Sequence, residues 1–454
     1  MFNATDMLIL VSVLLGLVFC GFHIAVSLGL TSLLGIYLVN GDMETVQRFS
    51  ASTAYEALRD YIFAVIPLFM LMGEFLAKCG AARDLFTLVN RLTKWVPGRL
   101  GVATVLANAV FAFVTGVSIA AAAAFSKIAH PEMRRHGYER KFSLGCIAGS
   151  ACLGMLIPPS VLMIVWGVLT ELAIGKLFIA GIIPGFLVVG LYIGYIVWVA
   201  RNEPQRVGEG PNLPFAQAQA RLANESEVQE SITTILWSTA GIVALVVLVL
   251  GGIWLGAFTP TEGAGVGATL ALLLAWARGM RGKEMMQAIV SVGRTSAPLL
   301  LLLVTAQLYS RVLAMTGITG AAKEFFLGSG LSPYLILALM IAVWFILGCI
   351  IDSISIILLT VPVFAPVAVA VGFDPIAFAI LGILAIETGL LTPPFGILVF
   401  TVKAAVTDEK DLSTGEIFSG SVPYWIALLT AIVVIAVFPQ IATWLPGLGQ
   451  KLVT

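Results

Sequence analysis

The chain has 454 residues, of which 59% are hydrophobic and 11% charged, with mean hydropathy +1.02 and equal numbers of acidic and basic residues. A soluble chain carries about 25% charged residues, so this composition excludes a soluble globular domain. Zero net charge gives no support to a nucleic-acid or other polyanionic partner. Apolar runs of roughly 18 residues or more recur along the chain, the pattern of a polytopic all-α membrane protein rather than the short alternating strands of a transmembrane barrel.

In chain order, the first apolar stretch runs from Met7 to Leu38. It is too long for one upright span, so a break is expected near Gly21. No basic leader precedes it, so no cleavable signal peptide is expected. A polar loop is expected from Asn40 to Asp60, then a span from Tyr61 to Lys78 and an amphipathic segment from Ala81 to Arg99. The next apolar run, Gly101 to Ile128, is interrupted by Thr-Gly-Val-Ser at Thr115 to Ser118. Basic residues flank both ends: Arg99 before, and Lys127, Arg134, Arg135, Arg140 and Lys141 after. The positive-inside rule puts both ends on the cytoplasmic side, which a single crossing cannot do. A re-entrant helical hairpin with its tip at residues 115–118 satisfies the rule, provided the tip lines a cavity.

A span from Phe142 to Leu169 follows, broken by Ile-Pro-Pro-Ser at 157–160, then one from Leu177 to Val199. The polar stretch Arg201 to Glu230 reads as a linker, followed by a connecting span from Ile232 to Leu255. The rest echoes the first half. Gly-Ala-Ala-Arg-Asp-Leu-Phe from Gly80 matches Gly-Ala-Ala-Lys-Glu-Phe-Phe from Gly320, an offset of 320 − 80 = 240 residues, and Gly-Lys-Leu-Phe from Gly175 matches Gly-Glu-Ile-Phe from Gly415 at the same offset. The second half carries Thr-Pro-Pro-Phe at 392–395 where the first carries Ile-Pro-Pro-Ser. Counting crossings makes the second copy inverted, with its hairpin from Tyr334 to Val371 and its tip at Gly348 to Ser353. The expected organisation is a first inverted repeat over 1–200, a linker and connecting span over 201–256, and a second inverted repeat over 257–454.

Inverted repeats with broken helices are the architecture of secondary transporters. Two prolines in succession remove donors and free backbone carbonyls, which a hard cation such as Na+ would satisfy, while the half-helix N-terminus beyond the break attracts an anion. The residues selected in this way are Thr115, Gly116 and Ser118 with Gly154, Ile157 and Pro159 in the first half. In the second they are Gly348, Asp352 and Ser353 with Gly389, Thr392 and Phe395. Ile157 and Phe395 could supply only carbonyls. Asp352 stands in an apolar run and is a functional candidate as an intramembrane acid. Glu387 and Glu262 are also candidates, or structural partners of an arginine such as Arg311 or Arg294. Cys20, Cys79, Cys146, Cys152 and Cys349 form no Cys-x-x-Cys pair and read as packing residues, and His23, His130 and His136 as structural or surface groups.

Phe-Thr-Pro-Thr-Glu-Gly-Ala-Gly from Phe258, the stretch around the first Pro-Pro from Gly154 to Gly185, and Leu-Leu-Thr-Pro-Pro-Phe-Gly from Leu390 together resemble the large membrane subunit of TRAP (tripartite ATP-independent periplasmic) transporters over nearly the whole chain. The resemblance implies an elevator-type permease of the bacterial inner membrane driving Na+-coupled uptake of an organic acid, such as a C4-dicarboxylate or a sialic acid. It implies a small four-helix membrane subunit and a periplasmic substrate-binding protein as partners. By motif position, it puts Na+ on Thr115, Ser118, Gly154, Ile157 and Pro159, and a second Na+ on Gly348, Gly389, Thr392 and Phe395. Gly116, Ser160, Asp352, Ser353 and Pro394 are the substrate-facing candidates. The first tip departs from the family's Ser-Gly-Ser-Ser, because Val117 removes a hydroxyl, and the stretch before Gly389 lacks an Asn common there. The alternative is a stand-alone divalent-anion/Na+ symporter of similar architecture. A membrane hydrolase is disfavoured, since neither a zinc-protease motif nor a paired intramembrane aspartate motif is present, and a channel suits two broken halves less well than alternating access does.

Overall fold

The computed structural model describes residues 4–209, 232–409 and 411–453, and all of its regular structure is helical. Among the described residues, six helical segments are long and apolar enough to cross a membrane: Tyr61–Lys78, Arg140–Thr170, Ile174–Asn202, Gly282–Met315, Ser353–Ala370 and Thr414–Val437. Shorter apolar helices lie between them.

The first apolar stretch divides as its length requires, into α1 (Ala4–Phe19) and α2 (Ile24–Asn40), with Gly21 in the left-handed region at φ +82°. The loop expected from Asn40 to Asp60 is instead a helix, α3 (Met43–Arg59). Asp42 caps it, accepting from the Glu44 and Thr45 amides at 3.1 and 2.9 Å. Its apolar positions Val46, Thr53 and Ala57 are buried on one face, so polar composition here marks an amphipathic surface helix rather than a loop. A 3-10 turn at Tyr61–Ala64 leads into α4 (Val65–Lys78), and α5 (Ala81–Leu92) supplies the amphipathic segment.

Next come α6 (Arg99–Thr115) and α7 (Ser118–Arg135), joined by two residues and packed on each other. The first Pro-Pro segment gives α8 (Arg140–Ala151), a short α9 (Leu153–Leu156) and α10 (Val161–Thr170), with 157–160 outside the helices. The long α11 (Ile174–Asn202) follows. Of the polar linker, 210–230 lie outside the described residues. The chain continues as α12 (Ile232–Trp254), α13 (Pro260–Ala277), α14 (Gly282–Met315) and α15 (Ile318–Gly328). Then α16 (Pro333–Gly348) and α17 (Ser353–Ala370) flank residues 349–352. The second Pro-Pro lies between α18 (Pro375–Gly389) and α19 (Ile397–Ala405), and α20 (Thr414–Val437) and α21 (Gln440–Val453) end the chain. Both Pro-Pro peptide bonds, 158–159 and 393–394, are cis.

Packing draws the two Pro-Pro regions together. The first-half helix α8 lies against α20, so close that a Cβ on Gly145 would strike the Gly420 carbonyl and one on Gly420 the Lys141 carbonyl. Gly149 lies beneath the Tyr424 ring. Between the halves, Trp166, Trp344 and Phe378 meet edge-on or tilted at 5.2–5.9 Å between ring centroids, and Gly382 leaves room for both indoles. The Trp344 indole N–H donates to Thr360 Oγ1 at 2.7 Å, satisfying the one polar atom of a fully buried ring. A second group, α2, α3, α4, α12, α13 and α14, packs around this core, with α4 on α13 and α2 on α14.

Candidate functional site

At the first tip, α6 ends because Gly116 enters the left-handed region at φ +61°, which a residue with a Cβ would resist. The reason for glycine is also spatial, since a Cβ there would run into the Pro159 carbonyl oxygen. The Gly116 carbonyl accepts from the Val161 amide at 3.3 Å. On the other side, a Cβ on Gly154 would lie 3.0 Å from the Ser118 backbone. The tip and the first break are therefore in direct backbone contact. Thr115 Oγ1 donates back to the Phe111 carbonyl at 3.1 Å. Ile157 is extended, its amide donating to the Leu153 carbonyl at 2.9 Å. Ser160 caps α10. All of residues 151–160 are buried.

The second tip meets the second break in the same way. A Cβ on Gly348 would lie 2.9 Å from Gly389 Cα, and one on Gly389 2.6 Å from Gly348 Cα. The Phe395 amide donates to the Cys349 carbonyl at 3.2 Å, and the Cys349 thiol contacts Thr392 Oγ1 at 2.9 Å. Asp352 caps α17, with Oδ1 accepting from the Ser355 amide at 3.0 Å. This break is more open than the first: Pro393, Pro394 and Phe395 are exposed.

The two tips converge on one side chain. Glu387, 1% exposed in the last turns of α18, accepts from Ser118 Oγ at 2.6 Å through Oε2 and from Ser353 Oγ at 3.1 Å through Oε1. Its carbonyl accepts from the Cys152 thiol at 3.6 Å. The expected arginine partners are otherwise engaged or absent. Arg311 donates to Glu56 and to Thr53, and Glu262 forms a capping box with Thr259 at the start of α13. Neither glutamate is ion-paired among the described residues: two serine hydroxyls donate to Glu387, and the Thr259 amide and hydroxyl donate to Glu262. Glu387 had a visible signal, a carboxylate in the apolar run Phe378 to Gly389, but its partners lie 34 and 269 residues away.

Around this contact lies a cavity of about 200 Å³, lined by Val117, Ser118, Ile119, Asp352, Ser353, Ile354 and Glu387, with Met155, Val161, Leu390 and Ile397 from beside the breaks. Met70 of α4 and Thr295 and Leu299 of α14 close the other wall. Of the sequence candidates, Ser118, Asp352 and Ser353 line it. Gly116 and Ser160 lie buried outside its lining and Pro394 is exposed elsewhere. A larger cavity, about 910 Å³, lies among α3, α11, α12 and α14 and is lined by none of the candidate site residues.

At the first contact the Pro159 carbonyl oxygen faces the tip, and at the second the Ile386 carbonyl faces Gly348 while Thr392 Oγ1 lies against the Cys349 thiol. Carbonyl and hydroxyl oxygens are the ligand type a hard monovalent cation such as Na+ prefers, so the chemistry of these groups is compatible with it. A transition metal finds no comparable site: no group of three or more His, Cys, Asp or Glu is suited to one among the described residues.

A family profile described as the tripartite ATP-independent periplasmic transporter, DctM component, matches residues 11–441. The chain belongs to this family. It is thus a multi-pass membrane permease subunit and not an enzyme. It is 34% identical over 423 residues to the C4-dicarboxylate TRAP transporter large permease protein DctM of Pseudomonas aeruginosa, covering 93% of this chain and 94% of that protein. It is 28% identical over 444 residues to the sialic acid TRAP transporter large permease protein SiaM of Vibrio cholerae, covering 96% and 98%. Among solved structures, the Alcanivorax borkumensis YdaH transporter has a similar fold, with TM-score 0.62, 13% identity and 90% of each chain covered.

Proposed function

We propose that this TRAP permease subunit couples Na+ entry to uptake of an organic acid by an elevator-type movement of a core built from two inverted repeats. In this reading the repeats are 1–200 and 257–454, joined by 201–256. The pairs α6–α7 and α16–α17 are re-entrant hairpins entering from opposite faces. The observation that carries the reading is the convergence of both tips, with residues flanking both Pro-Pro breaks, on one 200 Å³ cavity. Sodium ions, when bound, supply the positive charge that draws an acid anion to a cavity already lined by two carboxylates. The rest falls to the chain's own groups.

Thr115, Ser118, Gly154, Ile157 and Pro159 hold the first cation, and Gly348, Gly389, Thr392 and Phe395 the second. Ser353, its hydrogen donated to Glu387, presents its hydroxyl oxygen to the cavity, and the N-terminus of α17 beyond Asp352 offers amide donors and a positive dipole end to the acid. The cavity volume suits a small acid, and the relatives named for C4-dicarboxylate and sialic acid transport support a carboxylate. The partners in this reading are a small four-helix membrane subunit and a periplasmic binding protein that delivers the substrate. The location is the bacterial inner membrane.

The test is uptake of labelled succinate and labelled sialic acid into proteoliposomes holding this chain, its small subunit and its binding protein, with and without an inward Na+ gradient. Gradient-driven uptake that needs the binding protein and fails in Asp352→Ala and Thr392→Ala is expected. Uptake by this chain alone would replace the tripartite reading with a stand-alone symporter. Uptake of either acid that ignores Na+ would sink the cation sites.

A further inference from the structure

Glu387 joins both tips to the helices that lead into both breaks. It lies on the helix leading into the second break, and its carboxylate oxygens are divided between the tips, Oε2 to Ser118 and Oε1 to Ser353. Its carbonyl meets Cys152, two residues before Gly154 of the first break. No Lys, Arg or His contacts it among the described residues, and its side chain is buried.

A serine hydroxyl has one hydrogen to donate and two lone pairs. When Ser118 and Ser353 donate to Glu387, their hydrogens are committed and their lone pairs are turned outward, the orientation a cation or an acid's own donor requires. Because one carboxylate holds both hydroxyls, a shift at either tip must be answered at the other or leave a buried carboxylate oxygen unpaired, which is costly. Two bonds of unequal length, 2.6 and 3.1 Å, meet this condition on one rigid planar group.

We propose that Glu387 is the positioning residue that couples the cation site at the first tip to the substrate face of the second, through Ser118 and Ser353. This rests on the transport reading above and deepens it. The coupling is reciprocal, as any thermodynamic linkage is: what occupies the second tip alters Na+ affinity at the first. Ser353 is not among the proposed Na+ ligands, yet its loss is felt by Na+.

The test uses the purified full-length chain in lipid nanodiscs and reads thermal unfolding against Na+ concentration, with K+ keeping ionic strength constant. In the native background, Ser353→Ala is expected to raise the half-protecting Na+ concentration by about fivefold, the low end of usual coupling factors. In Glu387→Gln, or in Glu387→Asp should the glutamine variant not fold, adding Ser353→Ala is expected to change that concentration by less than about twofold. An unchanged half-protecting concentration for Ser353→Ala in the native background would overturn the coupling while leaving the cation sites standing. An equal effect of Ser353→Ala with and without the native Glu387 would also overturn it. Absence of Na+ protection in the unaltered chain would overturn the cation reading itself, and the coupling with it.

Discussion

Asp352 does two jobs that a pair of substitutions separates. Its carboxylate caps α17 through the Ser355 amide, and it lines the cavity beside Glu387. Asparagine caps a helix about as well as aspartate, whereas alanine costs about 1 kcal/mol. Asp352→Asn is therefore expected to keep the thermal midpoint of the native chain and Asp352→Ala to lower it. Both are expected to reduce Na+-driven uptake about tenfold or more, the consequence of losing roughly 1.4 kcal/mol of site energy. Full uptake by Asp352→Asn would show that the residue serves only as a cap. At the second contact, Gly348→Ala and Gly389→Ala place a methyl against the facing glycine's Cα. Overpacking of this kind costs about 1–3 kcal/mol, read as a lowered denaturation midpoint. Gly320→Ala, where nothing lies within 4 Å, is the control expected to be neutral.

Among the elements, α3 shows how local chemistry decides what hydropathy leaves open. The Thr45 backbone amide, the Thr45 hydroxyl and the Glu44 amide hold the Asp42 carboxyl below its ordinary 3.8. A depressed carboxyl stabilises the folded state above the unfolded value and loses that contribution as pH falls through the lowered one. Protection of the Glu44 and Thr45 amides from hydrogen exchange is thus expected to hold above about pH 4 and to fade below it, and in Asp42→Ala to be low throughout. Constant protection in the native chain would remove the cap from the account. The repeat motif from Gly80 has a structural use too: Asp84 pairs with Arg278 at the end of α13. Its counterpart Glu324 is exposed and unpaired among the described residues. Spans and breaks were legible in the sequence, because long apolar runs and Pro-Pro pairs act locally. Helix α3 was missed because its burial is one-sided and its cap lies in a polar stretch. The Glu387 hub was half-legible: the sequence marks a buried acid but cannot say which distant hydroxyls reach it.

At the scale of the whole molecule, the cavity has two kinds of wall. The tips and breaks supply one, while Met70 of α4 and Thr295 and Leu299 of α14 supply the other, from the helices packed around the core. In the proposed elevator movement the first wall, carrying the acid with the tips, passes the second. The small-residue contacts hold the two Pro-Pro regions as one body, with Gly145 on Gly420 and Gly348 on Gly389, whereas the cavity lies between them and the Thr295 and Leu299 side chains of α14. Sliding is thus easier between the walls than within the core. A thiol-cleavable bifunctional reagent joining Leu299→Cys to Ile354→Cys, two residues on opposite walls of the cavity, is expected to stop Na+-driven uptake, and reductant to restore it. The unsubstituted chain, with its own five cysteines, treated in parallel, is expected to keep its rate. Undiminished uptake by the cross-linked pair would mean that the walls do not move past one another, and that access to the site alternates by local opening of the tips.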